Sequence, residues 1–237
     1  VFFLLLEVLS ELTGVFSADE LVRQLYYESP NGLAFKLKRG ELSVCKGGSF
    51  VWKGRPFNIT LFYNKTYSSV SDGQDCRRLN YNSTVAPFGS WTRQMRPDYS
   101  VLIYDDSMTE EQAVANECYT SLHFDAKYSV EFLDDLFGGP EADPTTSSSE
   151  ETTGRYRRAD LMKMHTYKDA IRQSNGAYVV YPGIASEAPS DQYQLWMKYH
   201  TIIPGIGAFC ARPGSGKEES KRILIDFFKD VLDHIAV

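Results

Sequence analysis

The sequence predicts an α/β fold: a central mixed β-sheet flanked by helices and enlarged by an antiparallel β extension. Three observations carry this. Helical patterns open and close the chain, and between them lie segments in which polar and apolar residues alternate with the period of two that marks a strand. The length of 237 residues with 43% hydrophobic content is enough to bury one good core. The expected organisation is one domain over 1–237, with 28–90 as a β-rich insertion or extension and 138–155 as a flexible loop.

A helix is predicted over 1–13, opening on Val1-Phe2-Phe3-Leu4-Leu5-Leu6, and a second over 18–27, where Ser17-Ala18-Asp19-Glu20 resembles a capped start. Strand patterns follow at 33–38, 40–51 and 57–63, alternating as antiparallel strands do, and form a meander. The core continues with a strand over 98–104, a polar stretch over 105–117 and a strand over 119–130. Residues 138–154, rich in Gly, Pro, Ser, Thr and acid, read as a mobile excursion. Helix is predicted over 159–173, then a strand over 177–181 closed by Pro182-Gly183. A helix around 190–199, a short strand near 206–210 and a closing helix over 217–235 complete the chain.

Two short motifs carry chemistry: Arg96-Pro97-Asp98-Tyr99 and His123-Phe124-Asp125-Ala126-Lys127-Tyr128. In a strand, Asp125 and Lys127 project to one side while Phe124, Ala126 and Tyr128 project to the other. Leu122, Phe124 and Ala126 form an apolar stripe, so the charged pair is expected on the open face of a core strand. With the Asp98 strand alongside, two carboxylates share a surface, and two carboxylates plus backbone carbonyls and water suit a hard cation such as Mg²⁺. Taken alone, Asp-x-Lys also fits a solvated strand face with an incidental ion pair, and Pro-Asp fits an ordinary turn. On the helix over 159–173, Lys163 and Tyr167 are four apart and share a face.

In these segments the chain resembles the PD-(D/E)XK nuclease superfamily and, within it, the McrC-like nuclease domains of restriction systems. The resemblance runs through Arg96 to Tyr99, His123 to Tyr128, Lys163 to Ile171, Ala177 to Gly183 and Gly205 to Phe209, roughly residues 90–237. It implies a restriction-endonuclease-like core whose site lies on strands at one edge of the sheet. It implies Asp98 and Asp125 as metal ligands with the Ala126 carbonyl completing the shell, and Lys127 orienting the nucleophilic water, so that Asp98, Asp125 and Lys127 form the catalytic set. Mg²⁺ is the implied cofactor, with Mn²⁺ able to substitute. Lys163 and Tyr167 match a glutamine-x-x-x-tyrosine helix motif and are implied to bind substrate. Lysine in place of glutamine exchanges an amide for a cation that can contact a phosphate. His165, between them, has no role in the pattern.

A glutamate from the first core helix is also implied. It is expected just ahead of Val1; Glu7 and Glu11, four apart on one helical face, are the substitutes, but a plain polar helix face is the reading preferred for them. The implied activity is metal-dependent endonucleolytic cleavage of DNA by the nuclease module of a restriction or phage-defence system, with a nucleotide-driven motor subunit or another defence protein as partner. The alternative is a catalytically weak nucleic-acid-binding or assembly module that keeps the fold.

A net charge of −6 argues against a general polyanion binder but not against a nuclease, because the local field decides. Basic residues do cluster at Arg77-Arg78, at Arg93 with Arg96, and at Arg155 with Arg157-Arg158. Cys45, Cys76, Cys118 and Cys210 contain no Cys-x-x-Cys, which excludes a zinc ribbon and gives no disulfide framework. Sequons occur at Asn58, Asn64 and Asn82, yet Val1 to Leu6 is too short for a signal core and Glu7 interrupts it, so a cytoplasmic location is expected. Nothing in the sequence approaches a membrane span. Arg212 to Glu218 fails as a phosphate loop, since Ala211 stands where glycine is needed and Glu218 where serine or threonine is needed; a polar turn before the last helix is expected.

Overall fold

A computed structural model of the protein describes residues 1–16, 26–28, 35–37, 44–68, 89–127, 162–181, 205–211 and 214–237. Its elements are α1 (Phe2–Thr13), β1 (Tyr26–Glu28), β2 (Phe35–Leu37), β3 (Val44–Trp52), β4 (Arg55–Tyr63), β5 (Tyr99–Asp105), α2 (Glu110–Ala115), β6 (Tyr119–Ala126), α3 (162–170), β7 (Ser174–Tyr181), β8 (Ile206–Cys210) and α4 (Lys217–Ile235). Strands β3 to β8 form one six-stranded sheet in sequence order, while β1 and β2 pair separately as an antiparallel ribbon. The sheet is mixed, as the sequence predicts: the pairs β3–β4, β4–β5 and β5–β6 are antiparallel, whereas β7 runs parallel to both β6 and β8.

Alternation along the strands sorts residues into layers. On one face Ile59, Leu61, Val101, Ile103, Leu122, Phe124, Tyr178 and Val180 pack with Leu5, Val8 and Leu9 of α1 and Leu224, Phe228 and Val231 of α4. On the other, Met164, Tyr167 and Ala170 of α3 pack with Ala177, Val179 and Ala208. Val114 of α2 sits there with Phe62, Leu102 and Tyr119. At ~25 cal/mol per Å² of apolar surface, each large buried side chain contributes on the order of 2 kcal/mol, so the three-layer arrangement follows from strands that are apolar on both faces.

Local chemistry fixes the connections. Lys53 and Gly54, both at positive φ, close the two-residue turn between β3 and β4, matching the right-handed strand twist. Gly47 stands at an irregularity in β3 where a Cβ would meet the Phe16 ring at 2.7 Å, so the close approach of Phe16 requires glycine. The 3₁₀ turn Gly214–Gly216 leads straight into α4, in keeping with the polar turn expected there.

Three expectations change. Tyr26 and Tyr27, assigned by sequence to a helix over 18–27, lie in β1, where their ladder partners are Leu37 and Lys36; residues 17–25 lie outside the described residues. The polar stretch 105–117 contains a helix, α2. Thr109 accepts the Gln112 N–H and the Gln112 side chain accepts the Thr109 N–H, a capping box that stabilises a helix with only Ala113 and Val114 buried. Strands β5 and β6 are third and fourth of six, so the candidate site belongs to the middle of the sheet and not to one edge. The excursion at 138–154 and the helix around 190–199 also lie outside the described residues. Among the described residues no helix is long and apolar enough to cross a membrane.

Candidate active site

Because β5 and β6 are antiparallel, the start of one meets the end of the other. Tyr99 pairs with Phe124, so one step further Asp98 stands opposite Asp125, two residues 27 positions apart in the chain. Pro97, buried, rigidifies the approach to Asp98. The Asp98 carbonyl accepts the Asn64 N–H at 2.8 Å, and its carboxylate Oδ2 accepts the Ala126 N–H at 2.7 Å. An extended residue presents its N–H and C=O to the same neighbouring strand, so the Ala126 carbonyl is offered on the side of β6 where Asp98 lies.

Asp125 is 1% exposed. The open face expected for it is covered by α3, whose Lys163 reaches down so that its Nζ lies 2.6 Å from Asp125 Oδ1, while Lys127 Nζ lies 2.9 Å from Oδ2. Two ammonium groups on one carboxylate are what permit a charge to be buried so deeply. Lys127 is itself anchored by its backbone, its N–H donating to the Val180 carbonyl at 2.8 Å. Burial, and next the Asp125 charge, raise the pKa of Asp98 above its usual value; the Ala126 N–H, Lys163 and Lys127 oppose the rise.

The two helix residues differ in what they do. Lys163 is partly buried and spent on Asp125, with its ammonium 5.2 Å from the Tyr167 ring centroid. Tyr167 does not line an open cleft, as its assignment to substrate implies. It is 4% exposed, and its hydroxyl donates to the Arg96 carbonyl at 3.1 Å, so it holds the segment that carries Asp98. Burial, followed by the charges of Asp125 and Asp98, pushes the Tyr167 phenol upward and keeps it a neutral donor. His165 is exposed on α3.

Glu7 and Glu11 are paired with lysines of α4. Glu7 pairs with Lys217 at 2.7 Å and Glu11 with Lys221 at 2.6 Å, stitching α1 to α4 on the opposite layer of the sheet. Beneath the site on the α3 face lies a polar group that sequence reasoning missed: His123 is fully buried, with Nδ1 2.9 Å from the Ser100 hydroxyl and the Tyr67 ring edge-on at 5.2 Å. The signal was available, since His123, Asp125 and Lys127 share one face by alternation. Burial lowers the His123 pKa to about 3, and Lys65 and Lys168 push the same way, so the imidazole is neutral.

A metal ion fits this donor set. Two hard carboxylates stand side by side, the charge of one disfavouring ionisation of the other, and a divalent cation relieves that repulsion. Among the described residues no three His, Cys, Asp or Glu side chains are grouped so as to hold a metal, so a cation at the two carboxylates would need water and a main-chain carbonyl as further ligands, which Mg²⁺ commonly accepts.

Carboxylates at the meeting ends of two core strands, with a lysine two residues after the second, define a PD-(D/E)XK arrangement. Residues 1–186 match the family model of the PD-(D/E)XK nuclease superfamily, and the chain belongs to that superfamily. No curated protein and no solved structure matches it significantly. The matched span ends after β7, yet β8 and α4 continue the same sheet and core.

Proposed function

We propose that this member of the nuclease superfamily is a Mg²⁺-dependent endonuclease that hydrolyses DNA phosphodiester bonds, acting as one domain and as the cutting module of a restriction or phage-defence system in the cytoplasm. The observation that carries the reading is the convergence of Asp98, Asp125 and Lys127 at the junction of β5 and β6. Asp98, Asp125 and the Ala126 carbonyl are the groups that would hold the metal, which supplies polarisation of a phosphoryl oxygen and a water acidic enough to attack at neutral pH. Lys127, steered by Asp125, places positive charge where negative charge develops on phosphorus. Lys163 fixes the carboxylate of Asp125, and Tyr167 fixes Asp98 through the Arg96 carbonyl. A nucleotide-driven motor subunit that delivers DNA is part of this reading, supported by the McrC-like motifs alone.

The test is conversion of supercoiled plasmid to nicked or linear DNA in Mg²⁺ or Mn²⁺, its loss with EDTA, and its loss in Asp125→Ala. One observation favours a second reading, a catalytically weak nucleic-acid-binding or assembly module: both oxygens of Asp125 are already met by ammonium groups. Calorimetric titration with Mg²⁺ separates the two, since the endonuclease reading requires binding that Asp98→Ala and Asp125→Ala each abolish.

A further inference from the structure

An exposed tryptophan at the opposite end of α3 from the carboxylates narrows the substrate class, an inference that rests on the nuclease reading. Trp91 is 54% exposed although it is among the largest apolar side chains in the chain. Its backbone is fixed: the Trp91 N–H donates to the Ala170 carbonyl at 2.8 Å, and Ser90 bridges to Ile171, which laces the loop to the last turn of α3. The Arg172 guanidinium lies 4.5 Å from the Trp91 ring centroid and backs the ring. From there the chain passes exposed Arg93 and Arg96 to reach Asp98, and the Tyr167 hydroxyl binds the Arg96 carbonyl along the way. At ~1.5 Å per helical residue, Ala170 and Lys163 are about 10 Å apart, roughly three nucleotides at the ~3.4 Å rise of a stacked strand.

We propose that Trp91 stacks an unpaired base of a nucleic acid whose phosphates follow Arg93 and Arg96 to the Asp98–Asp125 pair, so that the preferred substrate carries a single-stranded segment next to the cut. A duplex keeps its base faces inside the stack and has little to offer a flat exposed ring. An unpaired base presents a π face, and aromatic stacking combined with a basic track is how single strands are held with little regard to sequence. The guanidinium covers one face of the ring and adds positive charge to the platform, while Trp91 as a whole stays 54% exposed. On a chain of net charge −6, this local run of arginines is what supplies attraction for a polyanion.

The experiment compares binding of a fluorescently labelled 12-nucleotide single strand and a blunt duplex of the same sequence, in EDTA to hold back cleavage, with plasmid cutting in Mg²⁺ measured in parallel. Wild type should prefer the single strand. Trp91→Ala should weaken single-strand binding about tenfold and leave the duplex unchanged, while Trp91→Phe restores most of the loss. Arg93→Gln and Arg96→Gln should each reduce the slope of log affinity against log salt by about 0.7. Equal single-strand affinity of Trp91→Ala and wild type overturns the proposal, and so does a loss shared equally by the duplex; the first is expected if the ring docks a protein instead. A chain that binds single strands through Trp91 but never cuts keeps this proposal and loses the nuclease reading. A chain that cuts while Trp91→Ala binds normally does the reverse.

Discussion

Asp125 is a buried carboxylate that faces two ammonium groups. Replacing it by alanine leaves both cations without their counter-charge, and a loss of up to about 3 kcal/mol in stability is expected besides the loss of cleavage, moderated because both lysines reach solvent. Chemical denaturation of Asp125→Ala measures the first and plasmid cutting the second. Lys127→Ala should keep Mg²⁺ affinity near wild type by calorimetry while the rate falls at least ~100-fold, the scale of one transition-state donor. Lys163, already occupied by Asp125, should behave differently from a free phosphate contact: lines of log affinity against log salt for Lys163→Ala and wild type should run nearly parallel while the cleavage rate falls. Asp98 carries a pH signature. Its folded pKa is raised, so its ionised, ligand-competent form is lost on acidification at a higher pH than for an ordinary carboxylate, and the cleavage rate should fall through that pH. The same shift means that stability present at acid pH is lost as pH rises through the folded value. Asp98→Asn should therefore melt at a higher temperature than wild type at neutral pH, yet be inactive.

At the scale of elements, α3 holds both halves of the site, meeting Asp125 through Lys163 and the Asp98 segment through Tyr167. Tyr167→Phe removes a hydrogen bond and keeps the ring, for a cost of about 1 kcal/mol, whereas Tyr167→Ala opens a cavity under the helix and costs about 3–5 kcal/mol. Urea denaturation of the pair measures this split. The α1–α4 ion pairs set a contrast. Glu7 and Glu11 are substantially exposed, so Glu7→Gln and Glu11→Gln should each change stability by less than about 1 kcal/mol and leave cleavage untouched. A large loss of activity in Glu7→Gln would show instead that α1 contributes to the chemistry.

Across the whole molecule, the sequence revealed those features that are local. Helix α4 and strand β8 were bounded as the sequence predicts, because helical period and a short apolar run mark them, whereas β7 was matched only at its end, Tyr181, and begins at Ser174, three residues before the predicted start. The placement of Asp98 opposite Asp125 came from motif order, but the burial of Asp125 did not, because alternation shows that residues share a face and says nothing about which layer covers it. That layer is α3, and the phase of a helix over a sheet is fixed by packing of Met164 and Tyr167 on Val179, not by their spacing in the chain. The role of Trp91 was equally hidden, since only the tertiary fold brings it to the end of α3. His123 gives a global prediction. Its folded pKa of about 3 lies below the unfolded value, so the unfolded chain binds the extra proton first, and stability falls as pH drops from about 6.5 toward 3. His123→Gln should flatten that part of a thermal-denaturation profile. The antiparallel pairing of β5 with β6 has a consequence for the time at which the protein becomes dangerous to nucleic acid. Its two carboxylates meet only when that pair closes, and the burial and charge balance of Asp125 wait on α3 and β7, which are synthesised later. A nascent or partly unfolded chain therefore holds the acidic groups apart, and the capacity to cut arises with the cooperative folding transition and is lost with it, so refolding monitored by tyrosine burial and by recovered cleavage should follow a single time course.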